Sequence, residues 1–204
     1  MLRLTDLKLP LNHGGDELTA AILRRLDIAA ADLAGYSVAK RSHDARKRGA
    51  ITLIYAVDVD TPREAALLQR FADDPHVRPM PDTQYHFVAK APPRIEHRPL
   101  VVGFGPCGLF AGLVLAQMGF RPIIVDRGKE VRERTRDTWD LWRKRNLHPE
   151  SNVQFGEGGA GTFSDGKLYS QIRDPQHHGR KVLTEFVKAG APEEILYESK
   201  PHIG

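Results

Sequence analysis

Three glycines at a fixed spacing, Gly103, Gly105 and Gly108, follow directly on a short apolar run at residues 100–102. The apolar segment 109–120 comes next and is predicted to form a buried helix. In such a strand–turn–helix unit the first glycine permits a tight turn, the second lets a diphosphate approach the backbone, and the third lets helix and strand pack closely. The spacing therefore predicts a site where backbone N–H groups bind phosphate.

The start of the predicted helix is expected to supply the positive charge for that phosphate. Pro106 and Cys107 lie in its first turn, where backbone N–H groups and the helix dipole favour an anion. Cys107 is the single cysteine of the chain, which excludes an intramolecular disulfide and a CxxC pair. We interpret Cys107 as a small residue facing the helix start, with mild thiol reactivity as the alternative.

A carboxylate follows the second predicted strand, residues 122–125. Asp126 lies 18 positions after Gly108, where a dinucleotide-binding unit places an acid against the ribose hydroxyls. A free acid at this point repels a 2′-phosphate, so FAD or NAD is predicted rather than NADP. Arg127 keeps the NADP alternative open, because an arginine just after the strand can bind that phosphate.

A second glycine-rich segment spans residues 151–170. Its glycines alternate with hydrogen-bonding groups and with apolar side chains such as Phe155 and Phe163, which a flexible linker usually lacks. A loop of this kind can fold its N–H groups into a nest that binds anions. We predict an ordered cofactor loop, and a flexible surface loop is the alternative. The predicted cofactor contacts are Gly158, Gly159, Gly161 and Thr162.

Residues 1–90 predict a separate unit ahead of these motifs, with elements in the order β-α-β-β-α-β. This is the order of the ferredoxin-like split βαβ plan, which serves many functions and indicates none by itself. The predicted strands span 2–9, 36–42, 51–58 and 84–89, and the predicted helices span 16–27 and 64–74.

A basic segment, KRSHDARKRG at residues 40–49, lies between two of those strands and predicts a long, solvated hairpin turn. Nucleic-acid binding is the alternative, because RNA-binding modules of similar topology use a sheet face. Those modules stack bases on several aromatic side chains, whereas the adjoining strand ITLIYAVDVD contains one. Nucleic acid is therefore not the predicted partner.

Residues 91–98, rich in proline and charge, are predicted to link this unit to a second domain at 99–204. The second domain continues with a charged crossover helix at 129–146 that should turn Trp139 and Trp142 inward. A helix at 179–188 and a strand at 194–198 complete the prediction. Because a dinucleotide-binding domain needs further parallel strands, we expect the chain to be the first part of a longer protein or a truncated gene product, without a complete active site.

Composition narrows the function classes. The 204 residues carry 30 Lys and Arg against 26 Asp and Glu, a net charge of +4 that permits an anionic ligand. No uninterrupted apolar run approaches about 18 residues, so no membrane span is predicted. The N-terminal segment MLRLTDLKLP has no apolar run long enough for a signal peptide, and a cytoplasmic location is expected. His148 and the pair His177 and His178 have no other metal ligands at a suitable spacing and are interpreted as surface residues, so no metal site is predicted.

Three stretches of the sequence resemble a bacterial family of poorly characterised FAD-dependent dehydrogenases, the NAD(P)/FAD-dependent oxidoreductases. The stretches are RSHDARKRGAITLIYAVDV, GFGPCGLFAGLVLAQMGFRPIIVDRG and NVQFGEGGAGTFSDGKL. The resemblance implies that the first glycine motif and Asp126 contact the ADP half of FAD, and that residues 158–162 lie near the diphosphate or the flavin. Two positions depart from the family pattern: Cys107 stands where a small residue such as alanine is usual, and Asp126 replaces a glutamate.

The sequence thus predicts an α/β protein: a ferredoxin-like α+β domain followed by an incomplete Rossmann-type FAD/NAD(P)-binding domain. Its expected function is FAD-dependent oxidation or reduction of a small molecule, with NAD(P)H as a candidate electron donor. No side chain is assigned as a catalytic acid, base or nucleophile. An RNA- or protein-binding module with a vestigial nucleotide site, and an NAD-binding protein without flavin, are the alternatives.

Overall fold

The computed structural model describes residues 1–47, 49–170 and 172–203. The protein is a mixed α/β fold whose chain divides into two compact units. The first unit comprises residues 1–84 together with 167–203, and the second comprises residues 85–166. The segment 167–203 therefore belongs with the N-terminal unit, whereas the sequence placed all of 99–204 in one domain.

The first unit is built on a four-stranded antiparallel sheet in the order β2-β3-β1-β4. Two helices, α1 and α2, connect the strands, so that the elements follow each other as β-α-β-β-α-β. The strands are β1 (Leu2–Pro10), β2 (Gly35–Asp44), β3 (Thr52–Asp60) and β4 (Val77–Pro79), and the helices are α1 (Gly15–Leu26) and α2 (Glu64–Arg70).

The spacing of leucines in β1 explains an irregularity of the sheet. Leu2 and Leu4 are buried, and so are Leu7 and Leu9, although three positions rather than two separate Leu4 from Leu7. A regular strand would turn the second pair to the opposite face. The register with β3 shifts between Leu4 and Leu7, where Asp6 has a φ of 60°. The extra residue keeps all four leucines facing the core.

Helix α1 covers the core face of this sheet. Leu18, Ile22 and Leu26 recur at helical spacing and are buried against the strands. At the helix start the Gly14 backbone N–H donates to Oε1 of Glu17 at 3.0 Å, which ties down the first turn. The core of the unit also contains Leu53, Tyr55, Val57, Val59, Leu67 and Val77.

Two predicted strands are wrong. Residues 84–89 form no strand, and the last strand of the sheet is β4, which pairs with β1 from Leu2↔Pro79 to Leu4↔Val77. Residues 194–198 likewise form no strand, because Glu193–Leu196 is a 3₁₀ helix. In both cases the apolar pattern was too short to fix an element without its tertiary partners.

The segment 167–203 contributes helix α5 (His178–Lys188). It then contacts the edge of β2 that is not paired with β3. Arg41 donates its backbone N–H to the oxygen of Tyr197 at 2.7 Å, and its own oxygen accepts from Ser199 at 2.9 Å. The Arg41 side chain is ion-paired with Glu198 and lies over the Tyr197 ring. These contacts cover an edge that would otherwise present unpaired backbone groups.

The second unit contains a two-stranded parallel sheet, β5 (Leu100–Val102) and β6 (Ile123–Val125). Helix α3 (Pro106–Gln117) connects the two strands, and helix α4 (Val131–Lys144) follows β6. Gly112 marks the close packing of α3 on β6, since a Cβ there would lie 2.4 Å from Cδ1 of Ile124. Strand, glycine turn, helix and second strand therefore occur in the predicted order.

The inward orientation predicted for the tryptophans of α4 is wrong. Trp139 and Trp142 are 44% and 52% exposed, and they contact each other edge to face with centroids 5.4 Å apart. The residues of α4 that are fully buried are Arg134 and Thr138. The helix turns this face inward because Arg134 reaches a carbonyl group of the glycine-rich loop.

No helix within the described residues combines the length and the apolar character that crossing a bilayer requires.

Candidate functional site

A cleft of about 520 Å³ opens at the carboxyl ends of β5 and β6. In open sheets with parallel strands, ligands bind beyond these strand ends. Four of the eleven predicted site residues line the cleft, namely Gly103, Gly105, Asp126 and Arg127. The remainder of its wall consists of Val102, Val125, Gln154, Phe155 and Gly156.

The turn after β5 has a backbone that requires glycine at two points. Gly103 has a φ of 101°, and its N–H donates to the Val125 oxygen at 2.7 Å. A Cβ on Gly108 would lie 1.8 Å from the oxygen of Gly103, so no other residue fits there without displacing the turn. A Cβ on Gly103 would meet no atom within 4 Å. The turn is therefore tightly packed at Gly108, where helix α3 begins, and open at Gly103.

The first turn of α3 has no side-chain cap. Gly105 is the N-cap residue, and Pro106 occupies the first helical position, where its missing N–H costs nothing. The N–H groups of Cys107 and Gly108 have no partner four residues earlier within the helix. Cys107 itself is exposed and carries a free thiol. This helix start has the backbone arrangement of an anion site.

Asp126 follows β6 and faces the glycine turn. Its Oδ2 accepts the Phe104 backbone N–H at 2.7 Å, and its Oδ1 accepts the Gly128 backbone N–H at 2.7 Å. An ionised carboxylate has about four acceptor positions, so each oxygen keeps one for a further donor. The two backbone bonds fix the carboxylate at the exposed rim of the cleft.

The second glycine-rich segment packs directly on the first. The Gly158 N–H donates to the Phe104 oxygen at 2.8 Å. A Cβ on Gly159 would lie 3.1 Å from both the Gly105 Cα and the Pro106 Cδ, and one on Gly161 would lie 3.7 Å from the Pro106 Cγ. The close approach of two backbones explains why both segments are rich in glycine.

Residues 156–163 form an ordered loop that ends in a short 3₁₀ helix, Gly159–Phe163. Gly158 has a φ of 81°, and a Cβ there would lie 2.1 Å from the Thr162 hydroxyl oxygen. That hydroxyl donates to the Glu157 oxygen at 3.2 Å. Thr162 therefore holds the loop in place. Gly158 also lines a smaller neighbouring cavity of about 380 Å³.

The guanidinium of Arg127 lies over an aromatic ring at the wall of the cleft. Its guanidinium carbon is 3.6 Å from the centroid of Phe155, and its Nε is 3.6 Å from Oε2 of Glu150. The side chain is about half exposed. Stacking and the carboxylate together hold the cation beside Asp126, where it can meet a ligand phosphate.

Arg134 is a residue of the site that the sequence reasoning missed. Its side chain has no solvent exposure, and its Nη2 donates to the Gly159 oxygen at 2.9 Å. Among the described residues, Nε and Nη1 of Arg134 have no hydrogen-bond partner. Burial lowers the pKa of this guanidinium, and the carboxylates of Asp126 and Glu157 act in the opposite direction. Helix α4 is highly charged and contains several arginines, and its sequence pattern does not distinguish the buried one from the others.

Glu157 connects the glycine-rich loop to the start of α4. Its Oε2 accepts the Val131 backbone N–H at 2.8 Å, and its own N–H donates to the Lys129 oxygen at 3.2 Å. The carboxylate thereby satisfies a first-turn donor of α4 and complements the helix dipole. Arg134 and Glu157 therefore hold the loop through hydrogen bonds within the chain.

The predicted site residues thus occupy one region of the second unit. The two glycine segments touch, Asp126 bonds to the first, and Arg134 bonds to the second. The arrangement combines bare backbone donors, a fixed carboxylate and a cation. Such a set can bind and orient an anionic, hydroxyl-bearing ligand.

Two comparisons with known proteins relate the chain to others. Residues 1–60 match a family model described as a domain of unknown function, DUF8436. The chain is also 41% identical over 203 residues to an uncharacterised protein of Clostridium beijerinckii. That alignment covers 100% of this chain and 38% of the relative. The chain therefore spans little more than a third of the length of this curated relative, and the alignment includes both units.

Proposed function

We propose that the second unit binds the ADP part of FAD and that the protein acts as a flavin-dependent oxidoreductase. The observation that carries the proposal is the position of Asp126, whose carboxylate is bonded across the mouth of the uncapped glycine turn. An acid at this point of a β-α-β unit is suited to ribose hydroxyls, and the helix start beside it is suited to a diphosphate.

The residues present fit such a group. The cleft has about 520 Å³, which lies within the range of small-molecule sites. At Gly103 the backbone is bare, and a Cβ would extend into open space. In the proposed complex the N–H groups of Cys107 and Gly108 face the diphosphate, and both oxygens of Asp126 accept from the ribose. Arg127 lies beside the cleft as an additional cation.

Arg134 has a positioning role in this proposal. Its bond to the Gly159 oxygen turns that carbonyl group inward, so that the loop directs its acceptor away from an incoming phosphate. The buried guanidinium also adds a positive charge beneath the loop, where little water screens it. Neither effect requires Arg134 to touch the ligand.

The proposal extends to the architecture. We assign the first unit to the ferredoxin-like plan, since its strand order β2-β3-β1-β4 separates β1 from β2 by one antiparallel strand. We assign the second unit to the first part of a Rossmann-type domain. Val102 is 80% exposed and Leu100 is 61% exposed, whereas parallel sheets are normally covered on both faces. Further strands are expected to cover these residues in the working protein.

The bound flavin would supply hydride or electron transfer, and the protein would supply binding and orientation. The described residues present no side chain that we assign as a catalytic acid, base or nucleophile. The substrate class therefore stays outside the proposal.

Binding of FAD by the 204-residue chain tests the proposal. The purified chain is mixed with FAD, passed through gel filtration, and the flavin absorbance in the protein peak is measured against FMN as the matched ligand. FAD should elute with the protein, and ADP should compete with it, because the site recognises the ADP part. Retention of FMN at the same level, or failure of ADP to compete, would contradict the proposed site.

A further inference from the structure

A polar cavity of about 290 Å³ lies within the first unit. It is formed where helix α5 approaches the strands β1, β2 and β3. Polar side chains reach it from five separate parts of the unit. They are Arg3, Ser37, Asp58, Thr83, His177 and Arg180.

Two of these side chains neutralise each other. Arg3 and Asp58 are directly opposite in the register of β1 and β3. Nε and Nη2 of Arg3 donate to the two carboxylate oxygens of Asp58 at 2.7 and 2.8 Å. This is a two-point ion pair between a guanidinium and a carboxylate, and Asp58 is buried. The pair therefore contributes little net charge to the cavity.

Arg180 is the charge that remains. Its Nη1 donates to the Leu196 oxygen, a neutral acceptor, and no carboxylate of the described chain is hydrogen-bonded to it. Burial lowers the pKa of Arg180, and the neighbouring Arg3 cation lowers it further, while Asp58 acts in the opposite direction. An arginine that is held beside another arginine, partly buried and without its own carboxylate, is a poor arrangement for stability alone.

We propose that this cavity binds a small oxyanion, a carboxylate or a phosphate, through the guanidinium of Arg180. The planar fork of an arginine suits two oxygens of one anion. The cavity also holds the hydroxyl groups of Ser37 and Thr83, which can donate to a further oxygen. The site rests on residues of the first unit alone and is independent of the proposed flavin site.

The experiment titrates the isotope-labelled 204-residue chain with inorganic phosphate and, separately, with succinate, at constant ionic strength set by chloride. Backbone amide resonances of Ser37, Thr83 and Arg180 are expected to shift in a saturable manner with at least one of the two anions. The anion that saturates at the lower concentration identifies the phosphate or the carboxylate source. Absence of saturable shifts at these residues with both anions overturns the proposal.

Variants locate the charge responsible. Arg180→Met keeps the aliphatic stem and should weaken the binding at least about tenfold, whereas Arg180→Lys keeps the charge without the fork and should have an intermediate effect. The matched control is Lys188→Met, which removes one positive charge from the far end of the same helix. Equal weakening by Arg180→Met and Lys188→Met would mean that the anion is attracted by the overall positive charge and does not bind at Arg180, which would overturn the proposal. If Arg180→Met does not fold, the resonance shifts of the unsubstituted chain decide the matter.

Discussion

Nη2 of Arg134 donates to the carbonyl oxygen of Gly159 at 2.9 Å from a side chain that has no solvent exposure. This bond, together with the one from the Val131 N–H to Glu157, links helix α4 to the loop that packs on the glycine turn. It also holds a guanidinium of which two nitrogens have no partner among the described residues. A buried charge with incomplete hydrogen bonding is expensive, so its contribution lies in placing the loop rather than in stabilising the fold.

Arg134→Met should separate these two contributions. The substitution removes the bond to Gly159 and also removes the cost of burying the unpartnered nitrogens, so the free energy of unfolding should change by no more than about 1 kcal/mol. The affinity for FAD should fall about tenfold, because the loop loses its fixed position. Urea denaturation and equilibrium dialysis measure the two quantities.

The matched control for this prediction is Arg136→Met, which removes an exposed arginine from the same helix. It should leave both quantities unchanged within error. A loss of several kcal/mol for Arg134→Met with unchanged FAD affinity would contradict the positioning role.

Gly108→Ala should destabilise the second unit strongly. The new Cβ would lie 1.8 Å from the Gly103 oxygen, and relief of this overlap must move either helix α3 or the turn. We expect a loss of about 3 kcal/mol or more in the free energy of unfolding. Gly15→Ala is the control, since a Cβ at that helix position meets no atom within 4 Å. It should be neutral or stabilise by up to about 1 kcal/mol.

The sequence pattern predicts an element correctly where the spacing of its own apolar residues defines the face that becomes buried. Helix α1 shows this clearly, because Leu18, Ile22 and Leu26 leave one buried stripe. Strand β4 shows the opposite. It has three residues and ends in Pro79, so its existence depends on pairing with β1, which is more than 70 positions away. Such pairing leaves no periodic signal in the sequence.

The candidate site was predictable in its parts and not in its assembly. Spacing alone assigned Gly103, Gly105 and Gly108 to one turn and Asp126 to the same site, because their roles are local to a β-α-β unit. The contact of Gly159 with Gly105 joins two segments about fifty residues apart, and no spacing rule relates them. Helix α4 likewise turns Arg134 towards the loop, whereas Trp139 and Trp142 stay exposed.

Asp44 should titrate at unusually low pH. Arg46 donates to its carboxylate from Nε at 2.8 Å and from Nη2 at 2.6 Å. The side-chain hydrogen bond from Arg46 lowers the pKa of Asp44 from 3.8 to about 2. Because the pKa is lower in the folded state, the stabilising effect of this pair is present above about pH 4 and is lost as the pH falls through about 2.

Carboxyl-carbon resonances recorded during an acid titration measure the pKa of Asp44. Arg46→Gln should return it towards 3.8, whereas Lys47→Gln, which removes the neighbouring charge, should leave it low. Since Arg46 is largely exposed, added salt should also raise this pKa. A pKa near 3.8 in the unsubstituted protein would contradict the hydrogen-bonded pair.

The Arg3–Asp58 pair should show strong coupling in a double-mutant cycle. Both side chains are mostly buried, and two hydrogen bonds join them. Arg3→Met and Asp58→Asn, alone and together, should give an interaction energy of about 1–3 kcal/mol in thermal or urea unfolding. The exposed Lys8–Asp6 pair is the comparison, and its coupling should not exceed about 1 kcal/mol. Similar values for the two pairs would show that burial does not strengthen the first.

Asp126→Asn should alter the choice among nucleotides at the proposed site. The amide keeps one acceptor oxygen and the shape of the side chain, but it replaces the second acceptor with a donor and removes the negative charge. A neutral side chain no longer repels a 2′-phosphate, and Arg127 lies close enough to the cleft to attract one. The variant should therefore bind FAD and NAD about tenfold more weakly and NADP more tightly than the unsubstituted chain does. Asp140→Asn, on the exposed face of α4, removes the same charge away from the cleft and should change none of these affinities. Equal loss of affinity for FAD, NAD and NADP in Asp126→Asn would mean that this carboxylate only supports the turn through Phe104 and Gly128, and that the ribose binds elsewhere.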